Sequence, residues 1–216
     1  MARFVAKDGS LIVTSLKVAS TTLDQAPQLR RLRNPDLLLR LAAGRFRRKL
    51  KVLFYRDPVS RTLSVFRSKF LDIERYRSAG LQNIHYQVMR AAGVSPPYDF
   101  SVAEDFAKRI EFDDFLQILP QIHRKDLHTL PQCEQLSFSW RGMKFMRIRF
   151  DCVVNLAVSD DTHAFEKRFG VVLTKKNRSG QVSVPAVSST QKRIIDRLYH
   201  QDMGLPMLLP AAHNTF

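Results

Sequence analysis

The sequence predicts an α/β fold with a parallel sheet. Three features point to it. Residues 11–16 form a short apolar, β-branched run that passes straight into a hydroxyl-rich turn and a helix. Residues 51–55 repeat the pattern, with Asp57-Pro58 opening the helix behind them. No internal repeat or low-complexity tract interrupts this alternation. Strand, turn and helix twice over implies right-handed crossovers between parallel strands, and ligands then sit at the carboxyl ends of those strands.

Each element follows in order. Leu11-Ile12-Val13-Thr14-Ser15-Leu16 reads as a buried strand. Lys17-Val18-Ala19-Ser20-Thr21-Thr22 is the turn, and Thr22 or Asp24 is expected to cap the next helix. Asn34-Pro35-Asp36 opens a second helix through Leu41, with Gly44 as its stop. Lys51 to Tyr55 is the second strand, and the helix after it carries Leu63, Phe66 and Phe70 at helical spacing. Residues 76–98 show no clear period, and Ser95-Pro96-Pro97 marks a loop. Residues 102–119 read as helix with a break near Glu111, residues 121–135 as irregular, and 144–150 as an alternating strand. A short helix over 160–169, a basic loop over 174–183 and a last helix capped by Ser188 or Ser189 through about Gln201 complete the chain. A chain of 216 residues is long enough for one sizeable core, so one domain over 1–216 is expected.

With 44% hydrophobic and 25% charged residues, composition is that of a globular protein rather than a disordered one. The net charge of +15, from 35 Lys and Arg against 20 Asp and Glu, favours an anionic partner. Nucleic acid, an anionic membrane, a phosphorylated cofactor and an acidic glycan all satisfy that charge. Cys133 and Cys152 are not spaced as a CxxC pair, and the His spacing is not that of zinc ligands, so neither a disulfide framework nor a metal is expected. No apolar run reaches the roughly 20 residues needed to span a bilayer. Residues 1–10 lack the apolar core of a signal peptide, so the chain as given reads as cytoplasmic, and an anchor outside it is compatible with that reading.

Both strand-end turns suit anions. A hydroxyl-rich loop opening a helix offers backbone N–H groups and a dipole to a phosphate, and Lys17 adds a mobile charge beside Ser20, Thr21 and Thr22. The G-x-x-x-x-G-K-[ST] spacing of an ATP-binding loop is absent. After the second strand, Arg56 supplies a forked, permanently charged donor, with Arg61 and Ser64 following on the helix. Taken one at a time, each turn also fits an ordinary capped helix with solvated cations.

Together, in this order and spacing, the two turns resemble the 3′-phosphoadenylyl sulfate (PAPS)-dependent sulfotransferases, specifically the carbohydrate (type 2) group. The resemblance implies a three-layer sandwich of the kind shared with P-loop nucleotide triphosphatases. It implies that Lys17, Ala19, Ser20, Thr21 and Thr22 hold the 5′-phosphosulfate and that Arg56, Arg61 and Ser64 hold the 3′-phosphate. Asp126-Leu127-His128-Thr129-Leu130-Pro131-Gln132 resembles the family's Asp-x-His-x-x-Pro-Gln segment. Lys175-Lys176-Asn177-Arg178-Ser179 resembles its Asn-x-Ser loop, which adds Asn177, Arg178 and Ser179 to the cofactor site, and 199–202 resembles its terminal helix. Many relatives carry Gly where Ala19 stands, and Ala can serve there only if its φ is negative.

The implied chemistry transfers a sulfuryl group to an acceptor hydroxyl, leaving adenosine 3′,5′-bisphosphate, with no metal required. Lys17 is expected to stabilise the leaving group. Some relatives place a catalytic His between the two cofactor motifs, and this chain has none there. His128 is therefore the first choice of general base, ahead of His85, His123 and Glu74. The implied acceptor is a carbohydrate or glycolipid, and the arginine-rich stretch 30–51 reads either as a solvated face or as a wall attracting an anionic glycan. A peripheral membrane contact is compatible with the same charge. The alternatives are a basic nucleic-acid-binding protein, disfavoured because aromatics do not interleave with the basic run, and a P-loop kinase relative, disfavoured by the missing loop spacing.

Overall fold

The structure is a computed structural model. It describes residues 2–15, 18–135, 148–173, 186–207 and 209–216, and the backbone alone of 137–140 and 143–147. In chain order the strands are β1 (Ala2–Ala6), β2 (Leu11–Thr14), β3 (Leu29–Arg31), β4 (Lys51–Tyr55), β5 (Ser137–Trp140), β6 (Met143–Arg147) and β7 (Cys152–Asn155). The α-helices are α1 (Ser20–Asp24), α2 (Asn34–Ala42), α3 (Pro58–Phe66), α4 (Asn83–Ala91), α5 (Phe100–Arg109), α6 (Phe112–Ile122), α7 (Gln132–Gln135), α8 (Ser159–Phe169), α9 (Ser189–Leu198) and α10 (His200–Met203). They group into two compact units.

The first unit comprises Met1–Asp57, Gln132–Lys176 and Gln201–Phe216, and holds a five-stranded sheet of order β3-β1-β2-β4-β7. The expected parallel core is present, with Ile12 paired to Val52 and Leu53 to Val153. Two antiparallel pairings extend it on one side: β1 pairs with β2, and β3 with β1. The β1–β2 turn explains the first of these. Asp8 accepts the Ser10 N–H and hydroxyl, each at 2.9 Å, and closes the chain into a hairpin.

Side-chain alternation sorts the strands into two cores. Phe4, Ile12, Val52, Phe54, Cys152 and Val154 face one layer, where Leu23 of α1 and Phe165 of α8 cover them. Phe54 meets Phe165 edge-on at 4.7 Å. Leu11, Val13, Leu53, Tyr55 and Val153 face the other layer, under Leu37 of α2, Phe46 and Leu205. The result is the three-layer sandwich that the resemblance implied.

The second unit comprises Pro58–Pro131 and Asn177–His200. It is helical, and its core is rich in phenylalanine. Phe66 lies 5.3 Å from Phe112 and 5.5 Å from Phe115, and Ile195 and Tyr199 close the same cluster. After α3 the helix widens into a π-helical turn, Arg67–Leu71.

Some local expectations change and others hold. Thr22 and Asp24 do not cap α1. Both lie inside it, and the N-cap is Ala19, because the helix begins as soon as the chain leaves its buried anchor, Val18. The stretch 76–98 contains α4, whose buried Ile84, His85, Val88 and Met89 fall at helical spacing around a polar residue, so no simple apolar period announces it. The break expected near Glu111 is present and separates α5 from α6 at Ile110–Glu111, where Asp114 accepts the Glu111 N–H and starts α6. Ser188 caps α9, accepting from the Gln191 N–H at 3.2 Å.

Candidate active site

In the sheet unit, β2 delivers the first turn. The Thr14 hydroxyl reaches the carbonyls of Ser15, at 3.1 Å, and Val18, folding the chain back at the strand end. Val18 and Leu23 are fully buried, which fixes both flanks of the turn. Between them Ala19 adopts φ 53° and ψ 4°, the left-handed region. Ala thus occupies the turn without the negative φ that it was expected to require. A left-handed L-residue costs about 1–2 kcal/mol, and the buried flanks hold it there. No side chain caps α1, and the first N–H groups of a helix have no partner within it. Ser20 and Thr22 are half-buried beside those groups and Thr21 is exposed. Lys17 lies outside the described residues, as do Asn177, Arg178 and Ser179.

The adjacent parallel strand, β4, delivers Arg56, half-buried at its carboxyl end. Gln132, only 2% exposed, locks that residue's backbone. Its Nε2 donates to the Arg56 carbonyl at 2.8 Å, and its Oε1 accepts from the Arg56 N–H at 3.3 Å. The same Oε1 accepts from the Ser15 hydroxyl at 3.3 Å. One amide thus ties together the ends of β2 and β4. Asp202, fully buried, anchors the clamp in turn: its carboxylate accepts from the N–H groups of Gln132 at 2.7 Å and Cys133 at 2.8 Å. That also satisfies the start of α7 with a negative charge.

In the helical unit, Ser64 is half-buried on α3. Arg61 is 2% exposed. Its Nη2 donates to the carbonyls of His128 at 3.1 Å and Leu130 at 2.7 Å, and its guanidinium lies 5.9 Å from the Tyr199 ring centre. The Tyr199 hydroxyl donates to the Thr129 carbonyl at 2.7 Å. Arg61 and Tyr199 together brace residues 128–130. On that braced loop, His128 Nδ1 lies 2.8 Å from Asp126 Oδ1, a carboxylate that also accepts from the His128 N–H and from Asn83. Burial works against the Asp126 anion, but these hydrogen bonds outweigh it and hold its pKa below the ordinary carboxylate value. A carboxylate on Nδ1 fixes the tautomer and leaves Nε2 as the proton acceptor.

The other base candidates are committed elsewhere. His85 Nδ1 accepts the Gln82 N–H at 2.8 Å, so its Nε2–H donates to the Lys69 carbonyl at 3.0 Å. Burial pushes its pKa down to about 4. His123 Nδ1 contacts the Pro120 carbonyl at 3.0 Å, and exposed Glu74 is paired with Arg77 at 2.9 Å. A second Asp–His pair occurs in the sheet unit, where His213 Nδ1 lies 2.8 Å from Asp161 Oδ1. The other Asp161 oxygen accepts from the Asn155 N–H, at the carboxyl end of β7, at 3.0 Å.

Residues 16–205 match the family model described as the sulfotransferase family. The chain belongs to that family. No curated protein matches it, and neither does any solved structure. The match covers both turns, and the reaction class it carries is sulfuryl transfer, as the type 2 resemblance implied.

The uncapped start of α1, the left-handed residue that presents it and the guanidinium-bearing end of β4 all favour negative charge. Gln132 and Asp202 are the residues that sequence reasoning underused. Both stood inside segments that resembled the family, but nothing local showed what they touch. The Asp161–His213 pair, separated by 52 residues, left no signal at all. Neither cysteine is poised as a nucleophile in the sulfotransferase. Burial pushes Cys152 up to about 12, and burial with the neighbouring Asp202 charge does the same to Cys133.

Proposed function

We propose that this sulfotransferase takes its sulfuryl group from PAPS and transfers it to a hydroxyl of a carbohydrate or glycoconjugate, as one catalytic domain over residues 1–216. The observation that carries the reading is the pair of anion-suited turns at the ends of adjacent parallel strands, Ala19–Thr22 after β2 and Arg56 after β4, tied by Gln132. A donor with phosphate groups at both ends of its ribose asks for two such turns. When bound, PAPS supplies the sulfuryl group on a phosphate leaving group. The N–H groups and hydroxyls of Ser20, Thr21 and Thr22 bind the 5′-phosphate, and Lys17 neutralises the charge that develops as the bond to sulfur breaks. Arg56 and Ser64 grip the 3′-phosphate, and Asn177, Arg178 and Ser179 are assigned to the same cofactor. His128 Nε2 takes the acceptor hydroxyl's proton while Asp126 stabilises the resulting imidazolium. Arg61, expected at the 3′-phosphate, is instead assigned a positioning role, because its buried guanidinium donates to the carbonyls on either side of Thr129.

The test is transfer from labelled PAPS to a panel of glycans and glycolipids, with Lys17→Ala and Arg56→Ala beside the native protein. Both variants are expected to fold and to lose transfer, and retained activity in both would sink the assignment. Adenosine 3′,5′-bisphosphate is expected to raise the melting temperature, and stabilisation by ATP alone would favour a kinase instead.

A further inference from the structure

The opposite end of the sheet carries a second charged feature. Between Arg30 and Lys51 stand nine Lys and Arg with a single Asp. Where β2 and β4 begin, an open cleft of about 520 Å³ is lined by Arg47, Arg48, Lys49, Lys51 and Arg168, with Asp8 and Asp151. Three of its cations have partners: Lys51 pairs with Asp151 at 2.9 Å, Arg168 pairs with Asp8 at 3.1 Å, and Lys49 Nζ donates to the Asp8 carbonyl at 2.8 Å. Arg47, Arg48 and Lys49 are exposed, and among the described residues no carboxylate pairs with them. The donor turns lie at the carboxyl ends of the same strands, so this cleft is not part of them.

The helix leading into this turn is apolar on its outer face. Leu37 and Leu41 of α2 point into the core, which is the ordinary half of an amphipathic helix. Leu39 is nevertheless 70% exposed and Leu38 39%, and Ala42 and Ala43, one turn further on, are exposed as well. The chain from helix to cleft is one stiff piece. Phe46 is buried, the Gly44 and Arg45 N–H groups bond back to Leu41 and Arg40, and the Lys49 N–H bonds to Phe46. Gly44 turns the chain there at φ 67°.

We propose that this surface, α2 with the Arg45–Lys51 turn, docks onto an anionic lipid bilayer. Basic residues beside exposed leucines on a helix are the combination that an interface rewards: the cations meet anionic headgroups and the leucines enter the acyl boundary. A sulfated glycan or a nucleic acid would use the cations and gain nothing from Leu38 and Leu39. A second copy of the chain would bring like charge to like charge.

The full chain is tested by sedimentation with large vesicles of phosphatidylcholine alone or with phosphatidylserine added. The expected result is binding to the phosphatidylserine vesicles that weakens as salt rises. Replacing Arg47, Arg48 and Lys49 with Gln is expected to lower the partition coefficient by about a hundredfold, taking each cation near the surface at the usual strength. Leu38→Ser with Leu39→Ser is expected to lower it about tenfold or more while leaving retention on heparin unchanged. All these positions are at the surface, and matching melting curves establish that the variants fold. Equal binding to both vesicle types, or phosphatidylserine binding indifferent to the leucine substitutions, would overturn the proposal. So would retention on heparin with no vesicle binding, or a dimer that Leu39→Ser dissolves.

Discussion

Removing the Gln132 side chain is the most direct perturbation of the sheet edge. In Gln132→Ala the Arg56 carbonyl loses a 2.8 Å bond, and its N–H and the Ser15 hydroxyl each lose a 3.3 Å bond. The short bond is worth about 1 kcal/mol net, and each buried group left without a partner costs about 1–3 kcal/mol. Arg56 is half-buried, so water recovers part of that, and about 2–3 kcal/mol in total is the expectation. For a chain of this size that corresponds to a fall of about 4–12 °C in melting temperature. Gln132→Glu keeps the acceptor toward Arg56 N–H and Ser15 but sets an oxygen against the Arg56 carbonyl, so it should cost at least as much despite its conserved shape. Ser15→Ala removes only one long bond and should cost under about 1 kcal/mol. Chemical denaturation of the three variants measures this order, and titration with adenosine 3′,5′-bisphosphate reads whether loosening Arg56 weakens nucleotide binding. Gln132→Ala within about 0.5 kcal/mol of the native protein, or Ser15→Ala as costly as it, would show that the clamp does not hold the strand ends.

Ala19→Gly relieves a left-handed Ala at a cost of about 0.4–1 kcal/mol in unfolded-state entropy, so a net gain of about 0.5–1 kcal/mol is expected; denaturation that shows a loss would mean the turn is unstrained. His128→Ala should cut turnover about 10²–10⁴-fold with stability near native, Asp126→Asn should lower it by less, and unchanged turnover in both would remove the pair from the chemistry. Because the folded-state pKa of Asp126 is depressed, its contribution to stability is present above the ordinary carboxylate pKa and disappears as pH falls through the lower folded value. His85 acts in a separate window: with a folded pKa of about 4 against 6.5, the unfolded chain takes up the proton first, so stability declines as pH falls from 6.5 toward 4. That loss should reach about 3 kcal/mol, and a Gln at position 85 should flatten the pH profile, as denaturation melts across that range would show.

The periodic and capped elements were legible because their signals are local. A β-branched run, a Pro at a first turn or a Ser three residues before a Gln acts within one strand or one helical turn, and β2, β4, α2, α3, α8 and α9 were all placed that way. The helix α4 and the antiparallel strands β1 and β3 were not, since they are held by partners elsewhere in the chain: β1 is a strand because β2 and β3 lie on either side of it. The site divides along the same line. Sequence alone marked the hydroxyl turn and Arg56 as anion-suited and set His128 beside Asp126. Only the tertiary structure decided that Ala19 is left-handed, that Arg61 is buried under the loop of His128, and that Gln132 and Asp202 clamp the end of β4. Those contacts join residues 67 to 76 positions apart, and a hydrogen bond at such a separation leaves no period or spacing in the sequence. It is fixed by where the sheet and helices bring the backbone, and by the cost of leaving a buried carbonyl without a partner.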